Sequence, residues 1–126
     1  DFIINDTPPK LDRELELILK KTDLAVIVTS PSPVEVMSAK TSVRFVAENI
    51  KDGGNQMLLF NKVDRRTMFG KNLDDIGGMI SDIRPNKAYL PACTAYQRAA
   101  LEGWSALRRK ESECIVKVAL EIMTSI

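Results

Sequence analysis

The chain has 126 residues, of which 44% are hydrophobic and 28% are charged, and its formal net charge is +1. This length and composition suit a single globular domain with a modest core, and a charge so close to zero predicts no strong overall attraction to nucleic acid or to an acidic membrane. The sequence contains no histidine, which excludes Cys/His zinc sites and histidine-based catalytic triads within the chain.

The two cysteines, Cys93 and Cys114, lie far apart in the sequence and are interpreted as small hydrophobic residues of the core. The sequence has no signal-like start and no apolar run of about eighteen residues, the length that a membrane-spanning helix needs. We therefore expect a protein of the reducing cytoplasm, where disulfides are rare.

The first element predicted along the chain is a short buried strand, because residues 2–5 form a largely apolar run. It should end at Asp6, since Pro8 and Pro9 cannot donate the backbone hydrogen bonds of a sheet. In open α/β sheets, ligands bind at the carboxyl ends of the strands, and a carboxylate there can hold Mg²⁺ through water beside a nucleotide phosphate. The alternative is that Asp6 merely begins a turn.

The middle of the chain alternates between helical and extended patterns. Apolar residues recur at helical spacing in residues 11–19 and 36–50, whereas residues 24–28 and 57–60 are continuous apolar runs. Such runs suit strands that are buried on both faces. Strands that alternate with helices in this way predict an α/β fold with a mostly parallel sheet and helices on both of its faces.

Three more elements are expected in the last part of the chain. A helix should begin after Asn72 and run to Ile83, with the pair Gly77-Gly78 weakening its middle. Residues 87–90 predict a fourth strand, which Pro91 should end. A last helix, starting at about residue 105 or 112, should pack on the core through one apolar stripe, which comprises Ile115, Ala119, Ile122 and Ile126.

The exit of the strand at residues 57–60 is rich in polar side chains. Residues 61–64 read Asn-Lys-Val-Asp, which matches the Asn-Lys-x-Asp box with which many GTPases bind guanine through the carboxylate. Arg65 and Arg66 follow, either as a solvated turn paired with Asp64 or Asp74, or as contacts to DNA phosphates. Further basic residues could extend a DNA-binding patch, namely Arg84, Lys87, Arg98, Arg108, Arg109 and Lys110.

Three segments together share their pattern with one protein family. Residues 1–9 are an apolar run that leads into Asp-Thr-Pro-Pro, residues 28–33 read Val-Thr-Ser-Pro-Ser-Pro, and residues 57–67 are an apolar run that ends in Asp-Arg-Arg-Thr. They resemble, in the family's own order, the Walker B segment and the next two strand exits of the ParA/MinD group of P-loop ATPases, especially the small ParF-like plasmid partition ATPases. The resemblance extends from residue 1 to about residue 107.

The family's deviant Walker A loop, a glycine-rich turn that ends in Gly-Lys-Thr, appears nowhere in the sequence. The resemblance therefore implies that residues 1–126 form one α/β domain, the carboxyl-terminal part of such a P-loop NTPase, starting at the Walker B strand. It implies an ATP hydrolase of plasmid or chromosome partition, with ATP and Mg²⁺ as cofactors of the complete protein. Because the phosphate-binding loop is missing, this chain alone is expected to be inactive and to contain no catalytic residue.

The resemblance also implies partners and a location. A ParA-like ATPase dimerises when it binds ATP and then binds DNA non-specifically, and it works with a centromere-binding ParB-type adaptor. We therefore expect a homodimer that acts in DNA segregation at the nucleoid of the cytoplasm, and no membrane partner.

Carried over residue by residue, the resemblance implies three kinds of site. Asp6 is expected to contact Mg²⁺ through water, whereas Asn61, Asp64 and Pro91 are expected to contact the nucleotide, with ATP preferred over GTP. The residues expected at DNA are Arg65, Arg66, Arg84 and Lys87. Two alternatives stay open: a P-loop-free relative that binds or regulates a complete ATPase, and a GTPase-like regulator that uses the box at residues 61–64.

Overall fold

The computed structural model describes residues 1–81 and 83–126, and the side chain of Arg84 lies outside what it describes. Its elements, in chain order, are α1 (Arg13–Leu19), β1 (Leu24–Thr29), α2 (Pro33–Asn49), β2 (Asn55–Phe60), α3 (Met68–Lys71), α4 (Leu73–Gly77), β3 (Arg84–Pro85), α5 (Thr94–Glu102), a 3₁₀ turn (Trp104–Ala106) and α6 (Arg109–Thr124).

The described strands form a small parallel sheet in the order β1-β2-β3. β1 pairs with β2 along its whole length, from Leu24 opposite Asn55 to Thr29 opposite Phe60. The two-residue strand β3 pairs with Met57 and Leu58 on the other side of β2. The prediction of a mixed α/β fold with a parallel sheet is thereby confirmed, whereas helices on both faces and the P-loop NTPase class stay predictions.

The core lies where α2 packs against β1 and β2. α2 begins with Pro33 in its first turn, a position where the missing N–H has no intrahelical role. Its apolar residues at helical spacing turn one face inward, as the sequence pattern predicts. In β2 every residue from Met57 to Phe60 is buried. The core cluster consists of Val36, Ala39, Val43, Leu58, Phe60, Val63, Ile76, Ile80 and Ile83.

The strand predicted at residues 2–5 is wrong for this structure. Residues 1–8 adopt no regular structure, and Ile3 and Ile4 expose 89% and 91% of their surface. A strand persists only where a neighbour takes up its backbone hydrogen bonds and packing covers its side chains, and this segment gains neither. Asp6 consequently stands on an exposed stretch instead of at the end of a buried strand.

The helix predicted from Asn72 to Ile83 is also shorter than expected. α4 ends at Gly77, and the backbone N–H of Gly78 caps it by donating to Asp74 and Ile76. Gly77 lies so close to Pro85 that a Cβ atom built there would be 2.8 Å from the Pro85 Cγ. The glycine pair therefore ends the helix and lets the chain return to the sheet at close range.

The predicted fourth strand is displaced toward the amino terminus. β3 falls at Arg84–Pro85, while residues 87–90 are not a strand, although the Leu90 N–H donates to the Phe60 carbonyl at 3.0 Å. Between the bonds from Asn86 and Leu90 to β2, the backbone N–H groups of Lys87 and Ala88 donate to the carboxylate of Glu121, so pairing with β2 is interrupted.

The last helix is confirmed as α6, but its predicted buried stripe is not. Val118 is its buried residue, whereas Ala119 and Ile126 are exposed. The carboxylate of Glu121 accepts from the backbone N–H groups of Lys87 and Ala88, both at 2.8 Å, and so ties α6 to the segment after β3. Among the described residues, no helix is long and apolar enough to cross a membrane.

Replacing Leu58 by alanine should test the central position of β2. Leu58 is fully buried, and truncating such a leucine typically lowers the free energy of unfolding by about 2–5 kcal/mol. The matched control is Leu101→Ala on α5, where the side chain is 89% exposed and the change should stay below about 0.5 kcal/mol. Urea unfolding of both variants measures the difference; equal losses would contradict the described core.

Candidate functional site

A cavity of about 550 Å³ opens at the carboxyl end of β2. It lies between the residues that follow β2 and the amino-terminal part of α5. Two of the residues predicted to contact a nucleotide, Asn61 and Pro91, line it together. The complete lining consists of Asn61, Lys62, Pro91, Ala92, Cys93, Thr94, Tyr96 and Gln97.

Backbone hydrogen bonds hold the two walls of this cavity together. The Val63 N–H donates to the Leu90 carbonyl at 3.1 Å, and the Ala92 N–H donates to the Val63 carbonyl at 3.0 Å. These bonds form an isolated parallel bridge between Val63 and Pro91. The Val63 side chain is buried in the core, so the bridge fixes the exit of β2 against the loop before α5.

A sharp turn at Lys62 separates β2 from this bridge. Lys62 has a φ of 54°, a left-handed conformation that residues other than glycine seldom adopt. The side-chain oxygen of Asn61 stabilises the turn by accepting the Lys62 N–H at 2.8 Å. Such backbone conformations persist where the surroundings impose them, and they occur often at binding sites. The turn makes Asn61 and Lys62 adjacent parts of one cavity wall.

Asp64, the third residue predicted to contact a nucleotide, does not line the cavity. Its Oδ1 accepts from the Nε and the backbone N–H of Arg66, both at 2.9 Å, and its Oδ2 accepts from the Nη2 of Arg66 at 2.8 Å. These bonds to Arg66 lower the pKa of the Asp64 carboxyl from 3.8 to about 2. The carboxylate is therefore ionised and engaged with the chain's own arginine.

The loop from Asp64 to α3 is closely packed. The Thr67 hydroxyl donates to the Asp64 carbonyl at 2.8 Å and accepts the Gly70 N–H at 3.0 Å, which caps the short helix α3. A Cβ atom at position 70 would lie 2.0 Å from the Asp64 carbonyl oxygen. Only glycine allows this approach, so Gly70 is needed to place Asp64 where it is.

The basic residues predicted at DNA lie in two nearby segments. Arg66 pairs with Asp64, one of the two pairings expected for a solvated turn. The Arg65 guanidinium lies 5.7 Å from the centre of the Tyr89 ring, within cation–π range. Lys87 is exposed, and the side chain of Arg84 lies outside the described part. DNA binding by these four residues stays a prediction.

The wall formed by α5 was missed by sequence reasoning. Cys93 caps α5 by accepting the Ala95 N–H at 3.4 Å, and its thiol lies 3.8 Å from a carboxylate oxygen of Glu111. The Tyr96 hydroxyl donates to the Glu111 carbonyl at 3.3 Å, and burial, assisted by the nearby thiols, raises the pKa of Tyr96 to about 12.

The positions of the two cysteines contradict the expectation that both belong to the core. Both are half-buried instead of lying in the core, and Cys93 lines the cavity. The sequence did contain a signal for the α5 wall of the cavity: Pro91 is followed within a few residues by a helical pattern. A loop that leads into a helix often borders a ligand site.

Asp6 is not brought together with the cavity residues. Its exposed carboxylate is accessible to water, as an indirect contact with Mg²⁺ requires, but the strand expected to position it is not formed. Among residues 1–81 and 83–126, no group of three or more Cys, Asp or Glu side chains is placed to hold a metal ion. The structure therefore does not position Asp6 for Mg²⁺, and its contact with the ion through water stays a prediction.

The fold and the cavity define a mixed α/β protein with a ligand-sized cavity at the carboxyl edge of a parallel sheet. No family model, curated protein or solved structure matches the chain.

The pairing of Asp64 with Arg66 predicts a specific dependence on pH. Because the pKa of Asp64 is lower in the folded chain than its ordinary value of 3.8, the pair stabilises the fold above that pH and loses its effect as the pH falls toward 2. Arg66→Ala should return the Asp64 pKa toward 3.8. Lys71→Ala, which removes another charge nearby, should leave it low. NMR titration of the carboxyl carbons measures the midpoints, and an equal midpoint in both variants would refute the pairing.

The close approach at Gly70 gives a second prediction. Gly70→Ala should lower the free energy of unfolding by roughly 1–3 kcal/mol, because the added methyl group overlaps backbone that cannot move cheaply. Gly78→Ala is the comparison variant: its Cβ would lie 3.2 Å from the Asp74 carbonyl oxygen, a much milder approach than at position 70, so it should cost clearly less stability than Gly70→Ala. Thermal unfolding compares the two, and the packing described for this loop requires Gly70→Ala to be clearly the less stable.

Proposed function

We propose that the chain corresponds to the part of a ParA/MinD-type partition ATPase from the Walker B segment onward, and that the cavity binds the base of ATP. The proposal is supported by the three motifs in family order and by one observation above all. Asn61 and Pro91, which the resemblance assigns to nucleotide binding, lie far apart in sequence but line the same cavity.

The cavity suits a planar heterocycle in size and chemistry. Its volume of about 550 Å³ lies in the usual range for small-molecule sites, and such sites combine apolar walls with a few polar groups. Pro91, Ala92 and Tyr96 supply apolar surface, while Asn61 and Gln97 supply amide donors and acceptors. The position at the carboxyl end of parallel strands is where α/β proteins bind nucleotides.

Adenine is the better candidate for the base. A guanine-binding box needs a free carboxylate that accepts from the guanine edge, but Arg66 occupies the carboxylate of Asp64. Adenine presents no such pair of donors and needs no carboxylate. The GTPase-like alternative is therefore supported by the sequence match at residues 61–64 and not by the pairing of Asp64.

Phosphate chemistry is proposed to depend on groups outside this sequence. In P-loop ATPases, Mg²⁺ and the Walker A lysine neutralise the charge of the transferring phosphoryl group. The sequence has no Walker A loop, and its proposed contribution is Asp6, through water. We therefore expect the isolated chain to bind nucleotide weakly and not to hydrolyse it.

The proposed biological role is DNA segregation through ATP-dependent dimerisation and non-specific DNA binding. Non-specific binding rests on the neutralisation of several phosphates by Lys and Arg. Arg65 and Arg66 are exposed neighbours in one turn. Lys87 is also exposed, and it shortly precedes Tyr89, whose ring the Arg65 guanidinium contacts. If the chain instead belongs to a P-loop-free relative, we propose that this basic surface binds a complete ATPase, which would be its partner.

Titration with AMP tests the base-binding proposal directly. At millimolar AMP, the amide signals of Asn61, Lys62, Ala92 and Thr94 should shift in NMR spectra of the whole chain, with a dissociation constant in the millimolar range expected for a base alone. Ala92→Leu places a larger side chain in the cavity and should weaken binding by about fivefold or more.

The control variant is Ala100→Leu, an exposed position of α5 that does not line the cavity. It should bind AMP like the unaltered chain. The proposed function would be overturned if AMP shifted no amide signals in the unaltered chain or in either variant. It would also be overturned if the shifted amides of all three proteins lay outside the cavity.

A further inference from the structure

The carboxylate of Asp64 and the side chain of Arg66 form a bidentate pair. Nε and Nη2 of the guanidinium donate to Oδ1 at 2.9 Å and to Oδ2 at 2.8 Å, and the Arg66 backbone N–H donates to Oδ1 at 2.9 Å. Planar N–H pairs of this kind match both oxygens of a carboxylate at once. Every oxygen of Asp64 therefore already has a donor.

The guanidinium and guanine offer a carboxylate the same donors. The guanine edge presents its ring N–H beside its exocyclic amine, two parallel N–H groups on a planar system, and the guanidinium presents two N–H groups in the same arrangement. Arg66 thus makes with Asp64 the contact that a guanine-binding box would make with the base. The two cannot occupy the carboxylate together.

The location of Asp64 makes this competition relevant to the cavity. Asp64 directly follows Val63, whose carbonyl accepts the N–H of the cavity residue Ala92. The carboxylate does not itself line the cavity, and it accepts hydrogen bonds from the backbone and side chain of Arg66. The other polar side chain of the box, Asn61, also uses its oxygen within the chain, on the Lys62 N–H.

Resting on the proposed binding of a nucleotide base in this cavity, we propose that Arg66 is a specificity-determining residue that excludes guanine by occupying Asp64. Arg66 lies two residues from Asp64 on the same chain, so its effective concentration far exceeds that of a free nucleotide. Adenine does not need the carboxylate and is not subject to this competition. A sequence that matches a guanine-binding box is thereby made selective for adenine.

The Asp64–Arg66 pair lies at the surface. The Arg66 side chain is 90% exposed and that of Asp64 is 32% exposed, so a substitution at position 66 removes the competitor without opening the core. Arg66→Ala removes the two guanidinium donors and the positive charge. Arg66→Gln keeps a long polar side chain but lacks the two parallel N–H groups of the guanidinium. Lys71→Ala removes one nearby positive charge that does not contact Asp64.

NMR titrations of the whole chain with AMP and with GMP test the inference. The measured quantity is the ratio of the GMP to the AMP dissociation constant. This ratio should fall by about three- to fivefold in Arg66→Ala, because the competing ion pair is exposed to solvent and is correspondingly weak. It should fall less in Arg66→Gln and stay unchanged in Lys71→Ala. In the double variant Asp64→Ala/Arg66→Ala the gain should disappear, because the carboxylate itself is gone.

The outcomes separate this inference from the function on which it rests. If AMP shifts the cavity amides but the ratio is the same in Arg66→Ala, the specificity role is overturned and base binding stands. A gain that persists in the double variant also overturns it, because the carboxylate would then be irrelevant. If neither nucleotide shifts the cavity amides in any variant, the proposed function fails and the inference fails with it.

Discussion

β2 lies between β1 and the segment that contains β3, and the rest of the described structure depends on its burial. Its backbone bonds with β1 on one side and, less regularly, with Asn86 and Leu90 on the other. Its side chains Leu58 and Phe60 are fully buried. Because consecutive strand residues face opposite sides of a sheet, burial of the whole run from Met57 requires packing over both faces of this one strand.

The cavity follows from how β2 ends. The chain leaves the sheet after Phe60, turns at Lys62 in a left-handed conformation, and pairs once more through Val63 with the loop at Pro91. That second pairing holds the loop at a distance from Asn61, and the amino-terminal turn of α5 closes the side of the space between them. A binding site at this edge therefore needs no separate scaffold, since the same backbone hydrogen bonds that end the sheet form its walls.

The sequence was most informative where a pattern depends on local residues alone. The continuous run of β2 and the apolar stripe of α2 predicted elements that the structure contains, because side-chain spacing acts within each segment. Residues 2–5 have an equally good strand pattern, yet a strand requires a neighbour that no local pattern can supply. The length of α4 and the shift of β3 depend likewise on the contact between Gly77 and Pro85, which belong to different elements. The wall contributed by α5 was missed for the same reason.

The box at residues 61–64 shows the same limit for the chemistry of a site. A motif states which donors and acceptors are present, and by that criterion Asn61 and Asp64 are equipped to bind guanine. It does not state whether those groups are already satisfied, and here the Asn61 oxygen accepts from Lys62 while the Asp64 carboxylate accepts from Arg66. Under the proposed function, the residue that decides the use of the motif is Arg66, two positions beyond Asp64. A bidentate guanidinium and a guanine edge offer a carboxylate equivalent donors, so this neighbouring residue would then carry as much information about base preference as the four residues of the box.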